Sequence, residues 1–215
     1  METLGKRIGL MGGSFDPIHF GHLVLAEEMR TRLSLDKVMF IPVGRAPHKH
    51  ADKMTMPKQR YEMVMLATLD HPNFEVSSIE IDREGVTYSY ETVSQIVGES
   101  SPEDQFFFIA GADTLMELES WRSVETLLKM VTFVGAARPG TDQAELLLKM
   151  AQLQQRYNAS IKIEELPELD ISSTDLRRRI ALGRSVKYLM PETVALYIEK
   201  HKLYLEGSAY ESLSD

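Results

Sequence analysis

The stretch KRIGLMGGSFDPIHFGHLVLAEEMRTRLSL, residues 6–35, sets the fold that we expect for this chain. Its first part is a short apolar run that ends in two glycines, which is typical of a buried strand that stops at a turn. After the loop, apolar residues recur at helical spacing at Leu23, Ala26, Met29 and Leu33. The sequence therefore predicts a strand, a loop and a helix in direct succession.

The same alternation continues along the chain. The run QFFFIAG, residues 105–111, is too apolar for an edge strand, and Pro57 lies in the first turn of a predicted helix. Such alternation is typical of a parallel sheet with helices on both faces, so we expect a Rossmann-like α/β fold. The predicted strands are 6–13, 37–43, 74–83, 105–111, 131–140 and 160–166, and the predicted helices are 21–35, 57–70, 89–97, 144–157, 173–182 and 191–201.

Length and composition are those of an ordinary globular protein. The chain has 215 residues, of which 43% are hydrophobic and 26% are charged. We expect one domain over residues 1–205 and a frayed tail over residues 206–215. No apolar run is long enough to span a bilayer and no signal peptide is recognisable, so we expect a cytoplasmic protein without membrane contact.

Charge and cysteine content narrow the classes of function. The formal net charge of -8 argues against nucleic acid as a partner, since nucleic-acid binders usually carry a basic field. Basic residues are nevertheless concentrated at 44–50 and 175–180, which favours a local anion site. The sequence contains no cysteine, so disulfides, thiolate zinc sites and cysteine nucleophiles are excluded.

The glycine pair Gly12 and Gly13 follows the first predicted strand. Glycines at this place let backbone N–H groups approach an anion, and the start of the following helix adds a positive dipole end. The pattern matches neither the dinucleotide motif GxGxxG nor the P-loop motif, GxxxxGK followed by Ser or Thr. A phosphate site and a plain tight turn both fit the pair.

Two histidines, His19 and His22, lie at the start of the predicted helix, where both rings can face a group bound at the helix N-terminus. Zinc ligation is disfavoured because zinc needs three or four ligands and this stretch offers no third histidine at helical spacing. Two interpretations remain. The rings are either structural histidines with satisfied hydrogen bonds, or donors to phosphate oxygens during phosphoryl or nucleotidyl transfer.

A second informative stretch is DISSTDLRRRI, residues 170–180. Ser172 and Asp175 have the spacing of a helix-capping box. A helix start that is rich in hydroxyl groups and has Arg177 one turn later is also a suitable anion clamp. The three arginines at 177–179 fit a solvated helix face equally well, so these residues alone leave both interpretations open.

Together, HFGH at residues 19–22 and ISSTDLR at residues 171–177 resemble the two signature motifs of the HxGH nucleotidyltransferase superfamily. Within that superfamily, the chain is most similar to bacterial nicotinate-nucleotide adenylyltransferases over residues 6–201. The family fold is a Rossmann-like parallel sheet, which agrees with the predicted alternation. Supporting matches are RAPHK at 45–49, TYS at 87–89, GADTL at 111–115, Trp121 and ARPG at 137–140.

The resemblance implies transfer of AMP from ATP to nicotinate mononucleotide, giving deamido-NAD and pyrophosphate in NAD biosynthesis. Mg²⁺ would accompany ATP without a dedicated protein ligand, and Asp16 would offer only a water-mediated contact. By the same resemblance, the catalytic residues are His19, His22 and Arg177. The ATP-binding residues are Gly12, Gly13, Ser14, Phe15, Gly111, Asp113, Ser173 and Thr174, and the acceptor-binding residues are Lys49, Thr87, Tyr88, Trp121 and Arg138.

Three other classes of protein fit less well. Pantetheine-phosphate adenylyltransferases usually have threonine at the position of His19 and a shorter chain. A nucleotide-binding regulator without turnover would not need both complete motifs, and a dinucleotide-dependent oxidoreductase would need GxGxxG after the first strand. The sequence does not determine the oligomeric state, and a homo-oligomer is compatible with it. It also leaves open the degree of preference for nicotinate over nicotinamide mononucleotide.

Overall fold

One parallel sheet of six strands forms the centre of the molecule. The structure, a computed structural model, describes residues 5–45, 54–111, 113–137, 143–165 and 169–205. The strands pair in the order β3-β2-β1-β4-β5-β6, and each pairing is parallel. The predicted Rossmann-like α/β fold is therefore confirmed. The strands are β1 (Arg7–Gly13), β2 (Lys37–Pro42), β3 (Phe74–Val76), β4 (Gln105–Gly111), β5 (Thr132–Ala137) and β6 (Ser160–Glu165).

Helices cover both faces of the sheet. Alternate strand residues face opposite sides, so Leu10 and Met11 of β1 belong to two separate apolar clusters. Met11 packs in the cluster that includes residues of α1, α2, α7 and α8, and Leu10 in the cluster that includes residues of α3, α4, α5 and α6. The helices are α1 (Phe20–Arg32), α2 (Pro57–Thr68), α3 (Ser89–Gly98), α4 (Asp113–Glu117), α5 (Val124–Met130), α6 (Gln143–Tyr157), α7 (Ser173–Ala181) and α8 (Glu192–His201).

The order of the strands reverses between β1 and β4. From β1 the chain proceeds to β2 and β3 on one side, and it returns to β4 before continuing to β5 and β6 on the other side. In open parallel sheets, ligands bind in the crevice outside the carboxyl ends of the strands at such a switch point. The end of β1, with its glycine pair, therefore lies at the expected place for a site.

Two regions differ from the predicted elements. The predicted strand 74–83 is a strand only at Phe74–Val76, because the chain then turns, with the N–H of Asp82 donating to the carbonyl of Ser78 at 2.9 Å. Beyond Val76 the burial does not follow the apolar pattern, because Glu80 is buried while Ile79 and Ile81 on either side of it are only partly buried. The short helices α4 and α5, joined by a 3₁₀ turn at Leu118–Ser120, had no predicted counterpart.

Two further predictions concern membrane spans and the bounds of the domain. Within the described ranges, the structure contains no helix that is both long and apolar enough to span a membrane. The predicted frayed tail, residues 206–215, lies outside the described residues, and the single domain over 1–205 stays a prediction.

Candidate active site

Three glycines lie at the carboxyl ends of β1 and β4. A Cβ atom on Gly13 would lie 2.8 Å from Cζ of Phe15, so glycine is what allows the Phe15 ring to fold back against the end of β1. Among the described atoms, a Cβ on Gly12 would meet only Cζ of Phe108, at 3.9 Å, and one on Gly111 would meet none within 4 Å. The protein surface at Gly12 and Gly111 therefore leaves room for a ligand to approach the backbone.

The loop after β1 is held in an unusual conformation. Phe15 has a φ of 48°, in the left-handed region, and its ring is only 2% exposed. That ring packs edge-to-face on His22, with the ring centroids 5.1 Å apart. Its side chain is thus part of the core, and the ATP contact predicted for Phe15 stays a prediction. Ser14, the preceding residue, is partly exposed at the same rim.

The two histidines form a stacked pair at the N-terminus of α1. His19 is the N-cap residue, and its ring centroid lies 3.7 Å from that of His22. The backbone N–H of His19 donates to Nδ1 of His22 at 3.3 Å, so the proton of the neutral His22 ring is on Nε2. Gly21 permits this arrangement, because a Cβ there would lie 3.0 Å from Nδ1 of His19.

The environment of His22 keeps its ring neutral. Desolvation by burial, reinforced by the neighbouring His19, lowers the pKa of His22 well below its ordinary value. At neutral pH the ring is therefore a neutral hydrogen-bond donor rather than a cation. A polyanion bound nearby would favour the protonated form and raise this pKa.

The second motif docks directly on the loop after β1. Ser172 caps α7, as predicted, and its Oγ accepts from the N–H of Asp175 at 3.2 Å. The Ser173 hydroxyl donates to the carbonyl of Pro17 at 2.9 Å. Nη1 of Arg177 donates to the carbonyl of Asp16 at 2.7 Å. The fold therefore joins two motifs that are about 150 residues apart in the sequence into one site.

The first turn of α7 is also internally organised. Nη2 of Arg177 donates to Oγ1 of Thr174 at 3.3 Å, which links the two side chains that the sequence assigned to phosphate binding. Thr174 is exposed and Arg177 is half-buried. The guanidinium is thus anchored at one nitrogen by the loop and at another by the helix, which restricts its position beside the crevice.

The carboxylate of Asp16 also holds the loop after β1 in place. It is 3% exposed and accepts from the Tyr204 hydroxyl at 2.6 Å and from the N–H of Thr55 at 3.3 Å. The carboxylate therefore holds protein groups together. The water-mediated contact of Asp16 with a metal stays a prediction.

Arg60 is a structural support of the candidate site that sequence reasoning missed. Its side chain on α2 is 1% exposed and donates to the carbonyls of Ser14 at 2.8 Å and Val43 at 2.6 Å. It also donates to the carbonyl of Gly44 at 3.2 Å. Arg60 thereby ties the loop after β1 to the segment after β2. No local motif signals this role, because a single arginine on a predicted amphipathic helix is normally exposed.

The predicted acceptor side includes Trp121, which is half-buried. Its ring and that of Phe108 pack edge-to-face, with centroids 5.8 Å apart. Phe108 is also the nearest described neighbour of a Cβ placed on Gly12. The Phe108 ring therefore connects the tryptophan to the glycine end of β1, so these predicted nucleotide and acceptor residues lie on a common rim.

Thr87 and Tyr88 lie at the start of α3 on the same rim. The guanidinium of Arg122, next to Trp121, stacks over the Tyr88 ring at 4.6 Å. Thr87 is buried, with its hydroxyl donating to Glu80 at 2.8 Å and its N–H donating to the carbonyl of Arg45 at 3.0 Å. The Thr87 backbone N–H and hydroxyl are thus both bonded within the protein, and Tyr88 is the N-cap residue of α3.

Some predicted residues are not placed by the structure. Lys49 and Arg138 lie outside the described residues. Asp113 begins α4, directly after the end of β4. Among the described residues, no group of three or more histidine, cysteine, aspartate or glutamate side chains is arranged to hold a metal ion.

Comparisons with known proteins identify the family. The cytidylyltransferase-like family matches residues 10–179. A probable nicotinate-nucleotide adenylyltransferase of Thermoanaerobacter sp. (strain X514) is 48% identical over 198 residues, which cover 92% of this chain and 94% of that protein. A second, from Moorella thermoacetica, is 46% identical over 204 residues, covering 95% and 94%. The chain belongs to the nicotinate-nucleotide adenylyltransferase family.

Solved structures of other proteins share the fold of this chain. The Plasmodium falciparum nicotinic acid mononucleotide adenylyltransferase complexed with NaAD matches with a TM-score of 0.76, covering 93% of this chain and 97% of that one. The same enzyme complexed with APC matches with a TM-score of 0.73. Both are 20% identical in sequence, so this likeness concerns the fold. The chain is an enzyme of the nucleotidyltransferase class.

Proposed function

We propose that this chain transfers the adenylyl group of ATP to nicotinate mononucleotide, releasing pyrophosphate and forming nicotinate adenine dinucleotide. The observation that carries the proposal is the docking of α7 on the loop after β1, through Ser173 and Arg177. It brings together phosphate-binding groups at the crevice between β1 and β4, where a nucleotide binds in folds of this kind. Relatives named for this activity, aligned over nearly the whole chain, support the choice of acceptor.

The chemistry needs no nucleophilic side chain. A phosphate oxygen of nicotinate mononucleotide attacks the α-phosphorus of ATP, and the bond from that phosphorus to the bridging oxygen breaks as pyrophosphate leaves. The attacking oxygen is already ionised at neutral pH, so no strong general base is required. The enzyme must instead hold two polyanions in line and stabilise the charge that accumulates on the leaving group.

The histidine pair and α7 supply that stabilisation. Nε2–H of His22 is a fixed donor because its ring is held by the backbone of His19 and packed on Phe15. Arg177, anchored by the carbonyl of Asp16, adds a permanent positive charge at the same end of the crevice. Gly12 and Gly13 let the triphosphate approach the backbone. Ser173 and Thr174 bind the β- and γ-phosphates through the backbone N–H groups of the first turn of α7, together with Arg177.

Magnesium enters with ATP. Mg²⁺ prefers octahedral oxygen ligands and commonly keeps water and substrate phosphates in its coordination sphere. The described residues contain no carboxylate cluster to hold it, and the carboxylate of Asp16 is bonded to Tyr204 and Thr55. The donors present thus fit an ion carried by the triphosphate, which when bound neutralises part of its charge.

The acceptor binds on the rim formed by α3 and Trp121. The partly exposed tryptophan ring, held edge-to-face by Phe108, stacks on the pyridine ring. Thr87 fixes the turn through its own hydrogen bonds, and backbone N–H groups at Tyr88 and the start of α3 donate to the nicotinate carboxylate. Lys49 and Arg138 bind the acceptor phosphate. A cytoplasmic location, the absence of nucleic-acid and membrane partners, and the oligomeric state stay predictions.

A comparison of acceptors tests the proposal. Pyrophosphate release from ATP and Mg²⁺ is measured with nicotinate mononucleotide, nicotinamide mononucleotide and phosphopantetheine in parallel. We expect fast release with the first and little with the other two. Release only with phosphopantetheine would instead assign the chain to pantetheine-phosphate adenylyltransferase activity. No release with any acceptor, together with tight ATP binding, would indicate a nucleotide-binding regulator.

A further inference from the structure

Glu80 is a buried carboxylate that accepts three hydrogen bonds from three parts of the chain. The side chain is 7% exposed and lies in the turn between β3 and α3. One oxygen accepts from the Thr87 hydroxyl at 2.8 Å and from the N–H of Gly44 at 3.3 Å. The other accepts from the Thr92 hydroxyl at 2.8 Å. A buried carboxylate is costly unless such donors surround it, so these bonds fix its place and theirs.

The three donors belong to segments that border the acceptor rim. Gly44 follows β2, Thr87 lies two residues before α3, and Thr92 lies inside α3. The contact at Gly44 is close, because a Cβ there would lie 2.1 Å from the backbone oxygen of Glu80. The N–H of Thr87 donates to the carbonyl of Arg45 at 3.0 Å and joins the same two segments a second time.

The direction of the Thr92 bond is also determined. Nη1 of Arg83 donates to Oγ1 of Thr92 at 2.9 Å. Because a hydroxyl has one proton, Thr92 accepts from Arg83 and donates to Glu80. A glutamine at position 80 would place an amide N–H₂ group where one of the two oxygens accepts, so at least one of these bonds would be lost.

We infer that Glu80 is a positioning residue that holds the turn at Thr87 and Tyr88 in the geometry that selects a carboxylate on the acceptor. This inference rests on the proposed function. The donors that this turn presents are the backbone N–H groups at Tyr88 and the start of α3, because those of Thr87 are bonded to Glu80 and Arg45. Donors held in fixed positions favour a ligand with two acceptor oxygens over an amide, whose N–H₂ group would face a donor and stay unpaired. Glu80 acts through the turn and does not itself touch the substrate.

Substitution of Glu80 by glutamine tests the inference. In Glu80→Gln we expect the KM for nicotinate mononucleotide to rise about tenfold, with kcat and the KM for ATP within about twofold of the wild-type values. The ratio of kcat/KM for nicotinate over nicotinamide mononucleotide should fall by a similar factor. Thr92→Val, which removes one donor and keeps the carboxylate, should show the same effect in weaker form.

A matched control separates positioning from stability. Thr68→Val removes another buried hydroxyl, one that donates to the carbonyl of Val64 at 2.9 Å on α2, and should leave the acceptor ratio unchanged. If Glu80→Gln and Thr92→Val lower the melting temperature but keep the wild-type ratio, the inference is wrong. If wild-type enzyme shows no turnover with nicotinate mononucleotide, the proposed function fails and this inference fails with it.

Discussion

At the scale of one residue, the groups packed around His22 determine where its ring can donate a hydrogen bond. Its ring is held by Phe15, by His19 and by a backbone hydrogen bond, so its donor is fixed before substrate binds. Replacement of His22 by alanine should therefore lower kcat by about 10²–10³-fold without loss of the fold. Pyrophosphate release and thermal unfolding measure the two effects, with the exposed His201→Ala as control. Near-normal turnover in His22→Ala would contradict its catalytic role.

The titration of His22 also predicts how stability depends on pH. Its folded pKa lies well below the ordinary value of 6.5, so the unfolded chain binds more protons as the pH falls through 6.5. The stability that the neutral ring contributes is present above that pH and is lost as the pH falls. Urea unfolding at pH 7.5 and at lower pH measures this change in the free energy of unfolding.

The pH comparison uses two variants. His22→Gln should show a smaller loss of unfolding free energy on acidification than the wild type, because the buried imidazole is gone. His201→Gln, which removes an exposed histidine, should behave like the wild type. Equal losses in all three proteins would contradict the account of His22.

At the scale of one element, two adjacent serines at the start of α7 have different roles. Ser172 caps the helix, and Ser173 bonds the helix to Pro17 in the loop after β1. We expect Ser172→Ala and Ser173→Ala each to lower the free energy of unfolding by about 1 kcal/mol. Only Ser173→Ala should also raise the KM for ATP, since it alone frees the loop. Steady-state kinetics measure the KM for ATP of each variant. Equal KM values in the two variants would contradict the role given to Ser173.

Elements differ in how far the sequence predicts them. The apolar strands β1, β4 and β5 and the capped helix α7 follow from local periodicity and from Ser172. The prediction of a strand at 74–83 was wrong beyond Val76. In that part of the chain Glu80 is buried by hydrogen bonds to distant segments, which no local pattern reveals. The short helices α4 and α5 have too few residues to give a helical period.

The candidate site was predictable in its motifs and not in its supports. The glycine pair and the two histidines form a recognisable pattern. Arg60 and Tyr204 give no such signal, because their partners are backbone carbonyls or a carboxylate far away in the sequence. Residues that act through tertiary contacts alone require the structure to be found.

At the scale of the whole molecule, the end of the described chain secures a loop near its beginning. Tyr204 and Asp16 are both buried, and their hydrogen bond of 2.6 Å spans 188 positions. Tyr204→Phe should lower the free energy of unfolding by about 1–3 kcal/mol, because a buried carboxylate oxygen loses a donor. Chemical unfolding measures this. Tyr188→Phe, at an 80% exposed position, should change it by less than about 0.5 kcal/mol, and equal effects would contradict the account.

In the whole molecule, the motifs at residues 19–22 and 171–177 together catalyse the proposed attack of the acceptor phosphate on the α-phosphorus of ATP. The most direct measurement follows ATP labelled at that phosphorus, incubated with the enzyme, Mg²⁺ and nicotinate mononucleotide, with chromatographic separation of the products. We expect the label to appear in nicotinate adenine dinucleotide, in an amount equal to that of the pyrophosphate released. Label that appears in AMP, or that stays in ATP, would contradict this expectation.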